Sequence, residues 1–107
     1  MEKLYDADGS SYTLVKSNYR NNGATYIGLL DEEGEPYCDV SINLEFGNDK
    51  NIIALNKDFE EFADSELIRQ LKCYLFKNYI CDIPQGFQTY GLYTLKNGIL
   101  DDIPTLK

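Results

Sequence analysis

"DFEEFADSELIRQLKCYLFKNY", residues 58–79, is the stretch on which the fold class turns. Phe59, Phe62, Ala63, Leu67, Leu71, Tyr74 and Leu75 recur at the spacing that lines up side chains along one face of a helix. Asp58 followed three residues later by Glu61 has the spacing of a capping box, and Asp64 or Ser65 can cap a restart after a break near "ADSE". Acids crowd the first half while Arg69, Lys72 and Lys77 occupy the second, which complements the helix dipole. The pattern predicts one main helix over about 58–78.

Upstream of it the periodicity is that of strands, over about 3–56. A short strand at Lys3–Tyr5 is followed by a turn over Asp8 and Gly9 and by a second strand from Ser11 to about Tyr19. "RNNG" at Arg20–Gly23 is a turn signal, because Asn and Gly tolerate positive φ, and Ala24–Asp31 supplies the third strand. "DEEGEP" suits a three-residue hairpin loop over Glu32, Glu33 and Gly34. In "PYCDVSINL", Cys38, Val40, Ile42 and Leu44 alternate toward one face, with Tyr37, Asp39, Ser41 and Asn43 toward the other, wet one. "NIIALN" at Asn51–Asn56 supplies a shorter fifth strand.

Downstream, "KNYICDIPQG" is expected to close the helix and form a connection, "GFQTYGLYTL" at about 86–95 a final strand, and 98–107 a loosely held tail. Together these elements predict a single α+β domain over 1–107: a four- to five-stranded antiparallel sheet with one main helix packed on one face.

Composition narrows the chemistry. With 43% hydrophobic and 26% charged residues the chain is that of a folded globular protein. It contains no histidine, so Ser-His and Cys-His nucleophile pairs are excluded. Cys38, Cys73 and Cys81 lack C-x-x-C spacing and are expected as small, reduced, buried residues; zinc is not expected. Asp6 with Asp8, and Glu33 with Glu35, are the closest carboxylate pairs, but neither has the further ligands of a calcium loop, so each is taken as a polar turn. No phosphate-binding glycine loop or nucleophile elbow occurs. The expectation is a non-enzyme without metal or cofactor. No apolar run reaches membrane-span length, and "MEKLYDADG" lacks the basic and apolar regions of a signal peptide, so a cytoplasmic location is expected.

The net charge of −8 is unevenly spread. Residues 31–66 hold twelve acids against Lys50 and Lys57, leaving the rest of the chain slightly positive. Such a surface repels nucleic acid and anionic membrane and attracts a basic partner. The helix dipole accounts for Asp58, Glu60, Glu61, Asp64 and Glu66 locally. Glu32, Glu33, Glu35, Tyr37 and Asp39 remain as a partner-binding candidate, with Tyr37 and Asp39 expected on one face; Glu60, Glu61 and Asp64 are a second patch. A homodimer whose acids confer only solubility is the alternative.

"NYRNNG" at Asn18–Gly23, "GEPYCDVSINL" at Gly34–Leu44 and "GFQTYGLYTL" at Gly86–Leu95 resemble, in order, three signatures of a family of small acidic proteins from Firmicutes mobile elements, the domain-of-unknown-function family numbered 4313. Those signatures are Y-x-x-N-G, E-P-Y-x-D-L-T-V-N-L and S-G-F-x-x-Y-P-L-Y; the proline of the last is Gly91 here. The resemblance implies no catalytic residues. It implies a setting of plasmids, conjugative elements and phages, and by analogy an anti-CRISPR role: an inhibitor that occupies the basic nucleic-acid channel of a defence nuclease in the bacterial host.

Overall fold

The computed structural model describes residues 3–43 and 49–106. Four strands pair antiparallel in chain order: β1 (Leu4–Tyr5), β2 (Ser11–Asn18), β3 (Thr25–Leu30) and β4 (Pro36–Asp39). The β2–β3 ladder runs from Thr13 opposite Leu30 to Asn18 opposite Thr25, which puts Leu14 beside Leu29 on the inner face. Tyr12, Leu14, Ile27 and Leu29 join the core there. Between β3 and β4 the register slips: Leu29 pairs with Cys38 but Leu30 with Pro36, so Tyr37 is the extra residue of a bulge.

The chain then changes sheets. The Val40 N–H donates to the Ile27 carbonyl at 2.9 Å, while the Val40 carbonyl accepts from the Asn56 N–H at 2.7 Å. β5 (Ser41–Ile42) thereby enters a second four-stranded antiparallel sheet of order β5–β6–β8–β7, with β6 at Ile52–Leu55, β7 at Phe76–Gln85 and β8 at Gln88–Leu95. The α+β class and main helix agree with the expectation, and the strands divide between two sheets instead of one. At the crossing the alternation fails, since neighbours Val40 and Ser41 are both buried. Ser41, expected on the wet face, accepts the Ile27 N–H at 2.9 Å and pairs with the Tyr19 hydroxyl at 3.1 Å. These bonds satisfy groups that would otherwise lie unpaired at the junction. Leu44, at the end of the expected strand, lies outside the described residues.

The helical stretch is two helices. α1 (Lys57–Phe62) is capped by Asn56, whose side chain accepts the Asp58 N–H, and α2 (Ser65–Leu75) is capped by Asp64. The break falls at Ala63–Asp64, near the expected place. The far end differs: α2 stops at Leu75, and residues 76–85, expected as helix end and connection, form β7 with no residue between. Lys77–Asp82 are all exposed, so no alternation of burial marks the strand; pairing with β8 defines it. The two-residue turn Gly86–Phe87 has its glycine first, at φ 64°. The tail is likewise packed and not loose. α3 (Ile99–Asp102) and the residue after it bury Ile99 and Ile103, and Pro104–Leu106 bonds back to Lys16 of β2.

Leu67, Leu71 and Leu75 of α2 are wholly buried in one cluster with Phe59, Leu14, Ile27, Leu29, Ile53, Leu55 and Leu95. Each such leucine contributes roughly 1.5–3 kcal/mol relative to exposure. Cys38 is half-buried, whereas Cys73 and Cys81, expected inside, are exposed. Among the described residues no helix is long and apolar enough to cross a membrane.

Candidate acidic docking surface

Three chain segments meet at one end of the molecule. In the β1–β2 turn the Asp6 carboxylate accepts the N–H groups of Asp8 and Ser10, each at 3.0 Å, and the Tyr12 hydroxyl at 3.0 Å. In the β3–β4 turn Asp31 plays the same part, accepting from Glu33 at 2.9 Å and Glu35 at 3.0 Å, with Gly34 at φ 82°. Aspartate does this because its short side chain reaches backbone donors two and four residues on. The third segment is the helix entry. Asp64 Oδ2 accepts from Glu66 at 3.0 Å and Leu67 at 3.1 Å.

Two bonds tie the segments together. The Ala7 N–H donates to Asp64 Oδ2 at 3.1 Å, and the Ser11 N–H to Glu32 Oε1 at 2.9 Å. The β1–β2 turn is thus held by the α2 cap on one side and by the β3–β4 turn on the other. Tyr37 completes the join. Its ring lies 4.6 Å from that of Tyr12, centroid to centroid, at 51°. It lines a cavity of about 350 Å³ with Asp31, Glu32 and Glu33, and a second of about 300 Å³ with Asp58, Phe59 and Phe62. Asp58 thus faces the first patch across Tyr37, and of the second patch Asp64 joins through Ala7, while Glu60 and Glu61 line neither cavity.

The bulge decides which side chains take part. It turns Tyr37 to the α1 side together with Cys38, while Asp39 pairs opposite Gly28 on the other face and accepts the Tyr26 hydroxyl at 2.6 Å. Tyr37 and Asp39 do not share a face, contrary to the simple alternation. Glu60 is also diverted, into an ion pair with Lys72 at 3.2 Å. Glu32, Glu33, Glu35 and Glu61 are exposed, and Asp64 is half-buried at its cap. Three members were not singled out from sequence. Asp6 was assigned to a polar turn; Tyr12, buried beneath Tyr37, carried no distinguishing signal; and Phe62, at a core-like helical spacing, is 81% exposed.

Titration at this end is set by burial. Burial, then the hydrogen bond to Asp6, pushes the Tyr12 phenol above its ordinary range. Burial pushes the Cys38 thiol up to about 11, the Asp39 charge adding to it, so the thiol is protonated at neutral pH and unsuited to act as a nucleophile. Among the described residues no group of three or more His, Cys, Asp or Glu is arranged to hold a metal ion. What the surface offers is carboxylates and aromatic rings on a rigid frame, which suits salt bridges and cation–π contacts with Arg or Lys.

Comparison with protein-family models, curated proteins and solved structures gives no match to this chain, and the family resemblance rests on the residues quoted above.

Proposed function

We propose that the protein is a non-catalytic inhibitor that docks its acidic, aromatic end onto a basic nucleic-acid-binding surface of a bacterial defence nuclease, as an anti-CRISPR protein does. The observation that carries this reading is the convergence on Tyr37 of Glu32 and Glu33 from one turn with Asp58 and Phe62 from α1. Carboxylates set around exposed rings can replace a nucleic-acid backbone and its bases against Arg and Lys side chains. The frame is already ordered by the bonds from Asp6, Asp31 and Asp64, so little side-chain and loop entropy is lost on docking. The protein would act in the cytoplasm of the host cell, where such nucleases work.

The test is competition. Immobilised protein should capture a CRISPR effector from a defined panel of purified effectors, and guide RNA or target DNA should displace it. Binding should weaken as salt rises from 50 to 500 mM, about tenfold or more for a steered, charge-dominated contact. Glu33→Lys with Glu35→Lys, whose side chains take no part in the frame's hydrogen bonds, should abolish capture while leaving the thermal midpoint within a few degrees. Capture that is indifferent to salt and to this double reversal would sink the proposal.

A further inference from the structure

A cleft of about 500 Å³ lies between β1, α2 and α3, and its lining has the opposite charge to the rest of the molecule. Lys3, Arg69 and Lys96 stand around it, and no carboxylate among the described residues lines it. Leu4 and Ile99, both buried, form an apolar floor with Tyr74. We propose that this cleft binds a small organic carboxylate with an apolar body.

Two of the three cations have donors to spare. Lys3 has no carboxylate partner among the described residues. Lys96 donates to the Cys73 carbonyl at the end of α2, which uses one of its three N–H groups. Arg69 is committed to Glu66, through Nε at 3.1 Å and through Nη2, and also meets the Cys73 side chain, so Lys3 and Lys96 are the cations available to a ligand. An apolar floor with a few convergent polar groups, in a volume within the roughly 300–1,000 Å³ of ligand sites, selects an amphiphilic ligand over a bare inorganic anion. The net charge of −8 does not forbid it. Asp64 is nine residues before Cys73 on α2, about 13 Å along the axis at 1.5 Å per residue. That exceeds the Debye length of about 8 Å at physiological salt, so the acidic end is largely screened from the cleft.

The test is a titration of the full, ¹⁵N-labelled chain with 3-phenylpropionate and, in parallel, with its uncharged amide. The carboxylate should produce saturable amide shifts at Cys73, Tyr74 and Ile99 and bind about tenfold more tightly than the amide, the worth of one charge-assisted hydrogen bond. Lys3→Gln, which removes a charge but no internal hydrogen bond, should weaken the carboxylate and leave the amide unchanged. Equal binding of carboxylate and amide, shifts that never saturate, or indifference to Lys3→Gln would each overturn the assignment. So would saturation by an acidic tetrapeptide but not by 3-phenylpropionate, which would give the cleft to a protein partner. The acidic end is untouched in this experiment, so its outcome is independent of nuclease capture.

Discussion

The acidic end and the β7–β8 hairpin differ in what holds them and in what they show to solvent. At the acidic end, side-chain carboxylates bind backbone N–H groups in three segments, so charge sits on a frame ordered within one turn by Asp6 and cross-linked between segments by Glu32 and Asp64. The hairpin is held by its ladder and carries only Lys77 and Asp82 as charges, yet it exposes Tyr79, Ile80 and Phe87, the last completely. It also lies at the sheet edge with register breaks after Phe76 and Tyr79 and with Pro84 in the edge strand. Bulges, a lysine and a proline are the devices by which natural edges resist pairing with other strands. The contrast teaches that exposed apolar residues need not mark the strongest docking candidate: here the surface cross-linked between distant segments is the charged one.

Leu71→Ala tests most severely whether the two regions form one folding unit. Leu71 is wholly buried in the cluster shared by both sheets, and its truncation should cost about 3 kcal/mol in denaturant unfolding. Hydrogen exchange should accelerate equally in β2–β3 and β7–β8. If the hairpin keeps its protection while the first sheet loses it, the regions are separate units.

Asp64→Ala breaks the acidic end selectively. It removes the α2 cap and the tether to Ala7, a loss of about 1–2 kcal/mol. Exchange should quicken at Ala7, Glu66 and Leu67 and stay unchanged in β8.

Alkaline pH should weaken the same end. A folded-state pKa raised from 9.0 to about 11 means that the neutral Cys38 thiol contributes stability fully below pH 9 and loses it as pH rises through 11. Tyr12 and Tyr26, also raised by burial first, act in the same direction at higher pH. The thermal midpoint should fall between pH 9 and 11, and Cys38→Ala should flatten that part of the fall.

Phe87→Ser is the smallest perturbation. Its side chain is fully exposed, so stability should change by less than about 0.5 kcal/mol, with solubility improved. A loss above 1 kcal/mol by the same measurement would show that the hairpin tip packs in solution.

Much of the fold was legible because its signals are local. The β2–β3 alternation, the turns at Gly23 and Gly34 and the helical spacing through Leu67, Leu71 and Leu75 each depend on neighbours in the chain. β7 was not legible. It follows α2 with no glycine or proline at the junction, and its exposed residues show no alternation. The packed tail was missed because Ile99 and Ile103 find their partners only in the assembled core. For the surface, the acids were visible but their sharing was not: Asp39 and Glu60 are turned to Tyr26 and Lys72, while Asp6 and Phe62 join in.

By itself the sequence determined the α+β class, the excess of acid in its middle third and the want of histidine chemistry, because composition and short-range periodicity survive without any contact map. Only the tertiary structure decided that the strands divide into two sheets at Val40, that one extra residue at Tyr37 parts it from Asp39, and that Asp58 of α1 meets the β3–β4 turn acids around Tyr37. The physical reason is that register and sheet choice are set by hydrogen bonds between residues far apart in the chain, and a one-residue slip sends a side chain to the opposite face.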